Sequence, residues 1–391
     1  MAEALIASGV RTPIGALGGV LAEVSAAELG AVCIREALSR AGISPSAVDE
    51  VIMGNVVGAG QGQNPARQAA IRSGLPDSIG GTTVNKVCGS GLKAIMLAAQ
   101  AIRLADSRVV VAGGMESMSR APYLLPGARQ GYRLGNSELV DAVIRDGLWD
   151  VYGNKHMGTY GDQCAAKAGL TRQDQDDFAV RSYTRARKAQ SEGVFQSEIV
   201  PVTVVVRKTT TEVTDDESPA KFNEEKLRAL RPAFGPEGTV TAGNASSIND
   251  GAAAVTVCSE EYCEAEGLNP IARIIGSATF SREPEWFTLA PIGAIQRLLA
   301  STGWTVDSVD LFEINEAFAA VTLAAERELN IPGEKVNIHG GAVSLGHPIG
   351  CSGTRILVTL LNALQRTGGR RGIAALCIGG GEAVAMGIEI L

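Results

Sequence analysis

Residues 84–95, VNKVCGSGLKAI, set Cys88 between a β-branched run and a glycine pair, with a helical pattern directly beyond. A thiol that only fills space needs no such setting, whereas a nucleophile does. Strand, sharp turn and helix start together expose the side chain at the turn. The helix N-terminus offers free N–H groups and the positive end of a dipole. Gly89 and Gly91 would permit close substrate approach and an unusual backbone. Such a site lowers a thiol pKa and can hold an oxyanion. A depressed Cys88 pKa is therefore expected. The competing reading, a buried cysteine beside a tight turn, stays open on the local residues alone.

The chain has three histidines, His156, His339 and His347, so the search for a base is short. His347 lies in GGAVSLGHPIGCSG, among glycines and next to Pro348. Paired with Cys88 it would make an activated nucleophile. His339 reads as structural. Cys377 ends an apolar run and opens a glycine loop, ALCIGGGEA. Asn315 and Glu316 fall where a strand gives way to a helix in EINEAFAA. Asn315 can donate to an oxyanion or its water, or can cap the helix. Cys33, Cys164, Cys258, Cys263 and Cys351 read as packing residues.

A duplication would bring these residues together. REALSRAGISPSAVDEVIMGNVVG, from Arg35, matches QRLLASTGWTVDSVDLFEINEAFA, from Gln296, without a gap. TVNKVCGSGLKAI pairs with KVNIHGGAVSLGHPIGCSGTRIL, and ADSRVVVAGGMESM with RRGIAALCIGGGEAVAM. Three matches in one order imply two copies of an α/β unit. The loops of Cys88 and His347 correspond, so a pseudo-twofold axis would make them neighbours. Each copy alternates amphipathic helices with short, wholly apolar strands such as Val109–Val111, the pattern of a helix-covered sheet. The expected division is 1–118 with about 250–267 as the first half, 119–249 as an inserted loop domain, and 268–391 as the second half. The insertion carries 17 basic and 17 acidic residues, so the net −7 belongs to the halves. It reads either as a solvated helical excursion or as a lid facing a polyanion.

The charge balance gives no pull towards nucleic acid or an anionic membrane. Seven irregularly spaced cysteines point to reduced thiols, not to a disulfide framework or a zinc site, and no metal is expected. The N-terminus has no secretory character and no apolar run is long enough to span a bilayer. The ending GIEIL is no peroxisomal address. A cytoplasmic location is expected.

In order, VNKVCGSGLKA, GGMESMS, GNASSINDGAAA, NEAFAA, GGAVSLGHPIGCSG and CIGGGEA resemble the thiolase family, closest to its acetyl-CoA acetyltransferase branch, over essentially the whole chain. The resemblance implies duplicated βαβαβαββ halves in a five-layered αβαβα core, with the loop domain over the substrate. It implies condensation of two acetyl-CoA to acetoacetyl-CoA and CoA, or the reverse, with CoA as substrate and no cofactor. By the same resemblance Cys88 carries the acyl group, His347 activates it and Cys377 is the second acid/base. Asn315 would hold a water that forms one oxyanion hole with His347; the N–H groups of Cys88 and Gly379 would form the other. His156, Met157, Gly243 and Ser246 would contact the pantetheine. The loop around DDESPAKFNEEKL is shorter than in many relatives and lacks a customary arginine, leaving Lys221 for the phosphates. Gly161, Asp162 and Gln163 replace a commoner Ala-Glu-Asn run. Trp286 and Phe287 take the place of smaller or more flexible residues. Phe287 would narrow the acyl site and favour acetyl, unless it is a surface aromatic covered by a second subunit. Residues 121–136 resemble the loop through which dimers pair, so a homotetramer is expected. The alternatives are a broader 3-ketoacyl-CoA thiolase and a non-catalytic CoA-binding scaffold.

Overall fold

The computed structural model describes residues 2–391. The first half contains β1 (Ala4–Arg11), α1 (Ala26–Ala41), β2 (Glu50–Gly54), α2 (Pro65–Arg72), β3 (Gly80–Val84), α3 (Ser90–Arg103) and β4 (Val109–Ser117). Helices α4 (Met157–Lys167) and α5 (Arg172–Ser191) follow in the insertion, and β5 (Asn249–Ser259) returns to the sheet. The second half runs β6 (Ala272–Ser281), α6 (Ala290–Thr302), β7 (Leu311–Ile314), α7 (Ala319–Leu329), α8 (Ser352–Thr367), β8 (Arg371–Ile378) and β9 (Glu382–Ile390).

The sheet order β3-β2-β4-β5-β1 in the first half is matched by β7-β8-β9-β6 in the second. A bridge between Phe312 and Val336 stands where β2 pairs with β3 in the first half, so the two orders agree strand for strand. β1 and β6 join the halves through two antiparallel pairs, Leu5 with Arg273 and Ile6 with Ala272.

Strand parity sorts the layers. Ala253, Val255 and Val257 of β5, and Ala374, Leu376 and Ile378 of β8, face one core with α3 and α8. Ala252 and Ala254 face outwards to α1 and α2. Ile373 and Ala375 face outwards to α6. The layers are thus helix, sheet, central helix pair, sheet, helix. With both faces of each strand covered, alternation gives way to continuous apolar runs.

Two close approaches let the central helices meet. A Cβ on Gly91 would lie 2.6 Å from Thr354 Oγ1, and one on Gly353 would lie 2.4 Å from the Leu92 nitrogen. Gly91 and Gly353 are equivalent in the two copies, so the contact is reciprocal across the pseudo-twofold. α1 is closed by a Ser25–Glu28 capping box. α3 and α8, by contrast, begin without a side-chain cap, and carbonyls of the preceding turns take their first N–H groups, Ser90 N to Val87 O at 3.0 Å and Ser352 N to Pro348 O at 2.9 Å.

Candidate active site

Cys88 sits at the entrance to α3, two residues before Ser90. The turn is tied by Ser90 Oγ, which accepts from Lys86 N at 2.8 Å and donates to Val87 O at 2.7 Å. The strained residue is Val87, at φ 45°, in a region that β-branched side chains avoid. Gly89 has φ −80°, so the expected backbone role of that glycine belongs to its neighbour instead. Gly89 is required for packing: a Cβ there would lie 2.3 Å from Ile378 Cδ1.

A cavity of about 610 Å³ brings together Cys88, His347, Cys377 and Gly379, with His156, Met157, Lys221, Ser246 and Phe287. Gly243 and Asn315 lie outside its lining. Gly243 is a packing glycine, since a Cβ there would lie 2.8 Å from Leu227 Cγ.

His347 is buried, and its backbone N–H donates to Asn249 Oδ1 at 2.9 Å. Its Nδ1 lies 2.6 Å from Ser352 Oγ, whose proton is given to Pro348 O at 2.9 Å. Nδ1 therefore carries its own proton and donates, which leaves the Nε2 lone pair free. Nε2 has no partner among the described residues. Burial, helped by the Arg355 charge, pushes this imidazole down to about 3, so it is neutral and able to accept a proton.

The Cys88 thiol departs from expectation. Burial pushes it up to about 11, against the N–H groups of Gly379 and of Cys88 itself, and the Glu116 charge raises it further. The helix end is outweighed by desolvation, so the resting pair is neutral thiol and neutral imidazole. Those two N–H groups are directed at the sulfur and pull its pKa the other way.

Cys377, the penultimate residue of β8, lies on its outward face among Tyr160, Phe287, Ala317 and Phe318. Burial holds its thiol well above the ordinary range, and Cys88 and Cys164 add to the shift. The following Gly380 and Gly381 have φ 93° and 89°, a turn only glycine makes without strain. Asn315 is fully buried, and neither polar side-chain atom has a partner among the described residues. It is not a cap, because α7 begins at Ala319 behind Phe318.

His156 caps α4, accepting from Gly158 N at 3.1 Å, and stacks on Phe234 with centroids 4.7 Å apart. Phe287 is buried within its own chain, which overturns the surface alternative; Trp286 turns away under Lys167. Lys221 lies at the cavity mouth, but its Nζ is 2.6 Å from Glu217 Oε1. Gly161 lets the Phe318 ring approach within 3.1 Å of where a Cβ would stand. Asp162 Oδ1 accepts from Thr239 N and Val240 N at 2.7 and 2.8 Å, fixing the strand of chain that leads to Ser246.

Sequence reasoning missed the residues that hold the loops. Glu116 accepts from Val56 N, Val57 N and Gly350 N at 3.0, 3.2 and 2.9 Å. Asn337 Nδ2, Ser182 Oγ and Val343 N meet at Glu316, which thereby anchors the segment before His347. Their motifs, GGMES and NEAF, were the only signal, because every partner is remote in sequence.

A cysteine–histidine pair, a second thiol and aimed N–H groups, on a duplicated five-layer α/β fold, define an acyl-transfer centre. Two family models match the chain, the thiolase N-terminal domain over residues 4–261 and the thiolase C-terminal domain over 268–390. The chain belongs to the thiolase family. It is 52% identical over 393 residues to the acetyl-CoA acetyltransferase of Escherichia coli (strain K12), with 100% of both chains covered. It is 50% identical over 391 residues to the acetyl-CoA acetyltransferase of Cupriavidus necator, again with 100% of both covered. The crystal structure of the Bacillus anthracis acetyl-CoA acetyltransferase is 44% identical, with a TM-score of 0.98 over 100% of this chain and 99% of that one. An Ascaris suum thiolase in complex with coenzyme A is 44% identical, with a TM-score of 0.95 over 100% of both chains.

Proposed function

We propose that this enzyme is an acetyl-CoA acetyltransferase, joining two acetyl-CoA into acetoacetyl-CoA and CoA or running the reverse thiolysis. The observation that carries the reading is the meeting of Cys88, His347, Cys377 and Gly379 around one cavity. Full-length relatives of that name, at about half identity, support it.

The resting protonation states order the steps. Cys88 loses its proton to His347 Nε2 as Sγ bonds to the acetyl carbon. The C–S bond to CoA breaks, and the departing thiolate takes the proton of Cys377, which burial has kept protonated. Cys377 is now a thiolate and removes an α-proton from a second acetyl-CoA. The resulting carbanion attacks acetyl-Cys88, and the Cys88 thiolate recovers its proton from the imidazolium. Every group returns to its starting state. The N–H groups of Cys88 and Gly379 serve one developing oxyanion, and each such donor contributes about 3–4 kcal/mol. Asn315 and His347, both buried with free polar atoms, serve the other through a bridging water.

His156, Met157 and Ser246 line the pantetheine channel, with Lys221 at its outer end. A broader 3-ketoacyl-CoA thiolase is the second reading, and the buried Phe287 favours the shorter substrate. Among the described residues no helix is long and apolar enough to cross a membrane, in keeping with a cytoplasmic enzyme. A homotetramer built through residues 121–136 is part of the reading, and Tyr123, Leu125 and Leu134 there are exposed. Mass spectrometry after mixing with acetyl-CoA should find one acetyl group on Cys88, and none in Cys88→Ala. Acetylation elsewhere, or none in the wild type, would refute the assignment.

A further inference from the structure

The acyl end of the cavity has a second wall behind the first. Phe287 faces the cavity, and the Tyr160 ring meets it edge-on, with centroids 6.1 Å apart at 88°. Tyr160 lies outside the lining and is only 3% exposed. Its hydroxyl donates to Asp150 Oδ2 at 2.6 Å, and the same oxygen accepts from Gly153 N at 2.7 Å. Asp150 is itself buried. It belongs to a two-residue strand, Trp149–Asp150, paired with Lys155–His156. One hydrogen bond therefore ties the hairpin carrying His156 to the first turn of α4. Gly153 makes room for it, since a Cβ there would lie 2.0 Å from Tyr160 Oη. Cys377 shares this aromatic cluster with Tyr160, Phe287 and Phe318, so the wall stands at the reacting end.

We propose that Tyr160, locked by Asp150, is a positioning residue that sets acyl chain length by backing Phe287. Without it, Phe287 has nowhere to rest except an empty space, and a longer acyl chain pushes it there. The inference rests on the thiolysis reading given above. A buried phenol with a short bond to a buried carboxylate cannot yield as a flexible side chain would, because leaving either group unpaired is unfavourable.

The test is thiolysis of acetoacetyl-CoA, 3-oxohexanoyl-CoA and 3-oxooctanoyl-CoA by wild type, Tyr160→Phe and Tyr160→Ala, with thermal melts alongside. Tyr160→Leu replaces Tyr160→Ala should the latter fail to fold. Each methylene in an apolar pocket is worth roughly tenfold or more in discrimination. Tyr160→Ala or Tyr160→Leu should raise the ratio of kcat/KM for 3-oxohexanoyl-CoA over acetoacetyl-CoA by about ten- to a hundredfold, since two methylenes separate the substrates. Tyr160→Phe keeps the ring but loses the lock, so its ratio should fall between those of wild type and Tyr160→Ala while the melting temperature drops. A folded Tyr160→Ala or Tyr160→Leu with an unchanged ratio overturns the inference, as does a wild type that cleaves all three substrates equally. A wild type inactive on acetoacetyl-CoA sinks the functional reading instead.

Discussion

His347 shows how one side chain acquires its role from burial and from a contact made five residues along the chain. Ser352 is the first residue of α8, and it fixes which ring nitrogen holds the proton. Burial and Arg355 then keep the ring neutral far below the ordinary histidine value. The consequence for kinetics is direct. The kcat/KM profile reports the free enzyme's ionisations. With His347 pushed down to about 3 and Cys88 up to about 11, it should show no acid limb near 6.5. An acid limb at about 6.5 that vanishes on replacing His347 would show that the ring titrates normally. The stability sign follows as well: a histidine whose folded pKa is lowered binds its proton first in the unfolded chain. His347 and His339, the latter pushed down to about 4 by burial, therefore withdraw stability as pH falls below about 6.5.

At the scale of elements, the site depends on how closely α3 and α8 approach. Neither helix has an ordinary cap, and each begins in a loop that the other copy's helix packs against. Gly353→Ala places a methyl 2.4 Å from the Leu92 nitrogen, a backbone atom with nowhere to go. Thermal unfolding should show a loss of about 3 kcal/mol, and acetylation of Cys88 should fall with it. A full-activity, fully stable Gly353→Ala would show that the helices can part without disturbing the turn. Glu116 works on the same scale: it gathers backbone N–H groups of Val56, Val57 and Gly350 and so fastens the two copies' loops together. Burial nonetheless pushes its carboxyl up to about 7, with those N–H groups pulling the other way.

For the whole molecule, the halves are equal partners in a shared centre. Only two residue pairs join their sheets at β1 and β6, so the joint is the central helix layer rather than the sheet. Residues 2–267 and 268–391 expressed separately should each expose that layer, bind a hydrophobic dye and melt without cooperativity. Two cooperative, dye-free halves would contradict a single shared core.

Alternating helices and doubly buried strands, the repeat, and the motifs around Cys88, His347 and Cys377 are local patterns, and local patterns survive in a linear string. They carried the fold class, the duplication and the candidate thiols. The opposite sign of the Cys88 shift was out of reach, because a helix dipole is readable from sequence and desolvation is not. The strain at Val87 rather than Gly89, the pairing of Lys221 with Glu217 and the inward turn of Phe287 were equally hidden. The first two are set by the course of local turns, one tied at Val87 by Ser90 and one carrying Lys221 back onto Glu217, and the third by the insertion packing on the second half. Folding decided where the proton sits on His347, through the nearby Ser352 and Pro348, and what stands behind the acyl pocket, since burial and through-space contact belong to the folded chain.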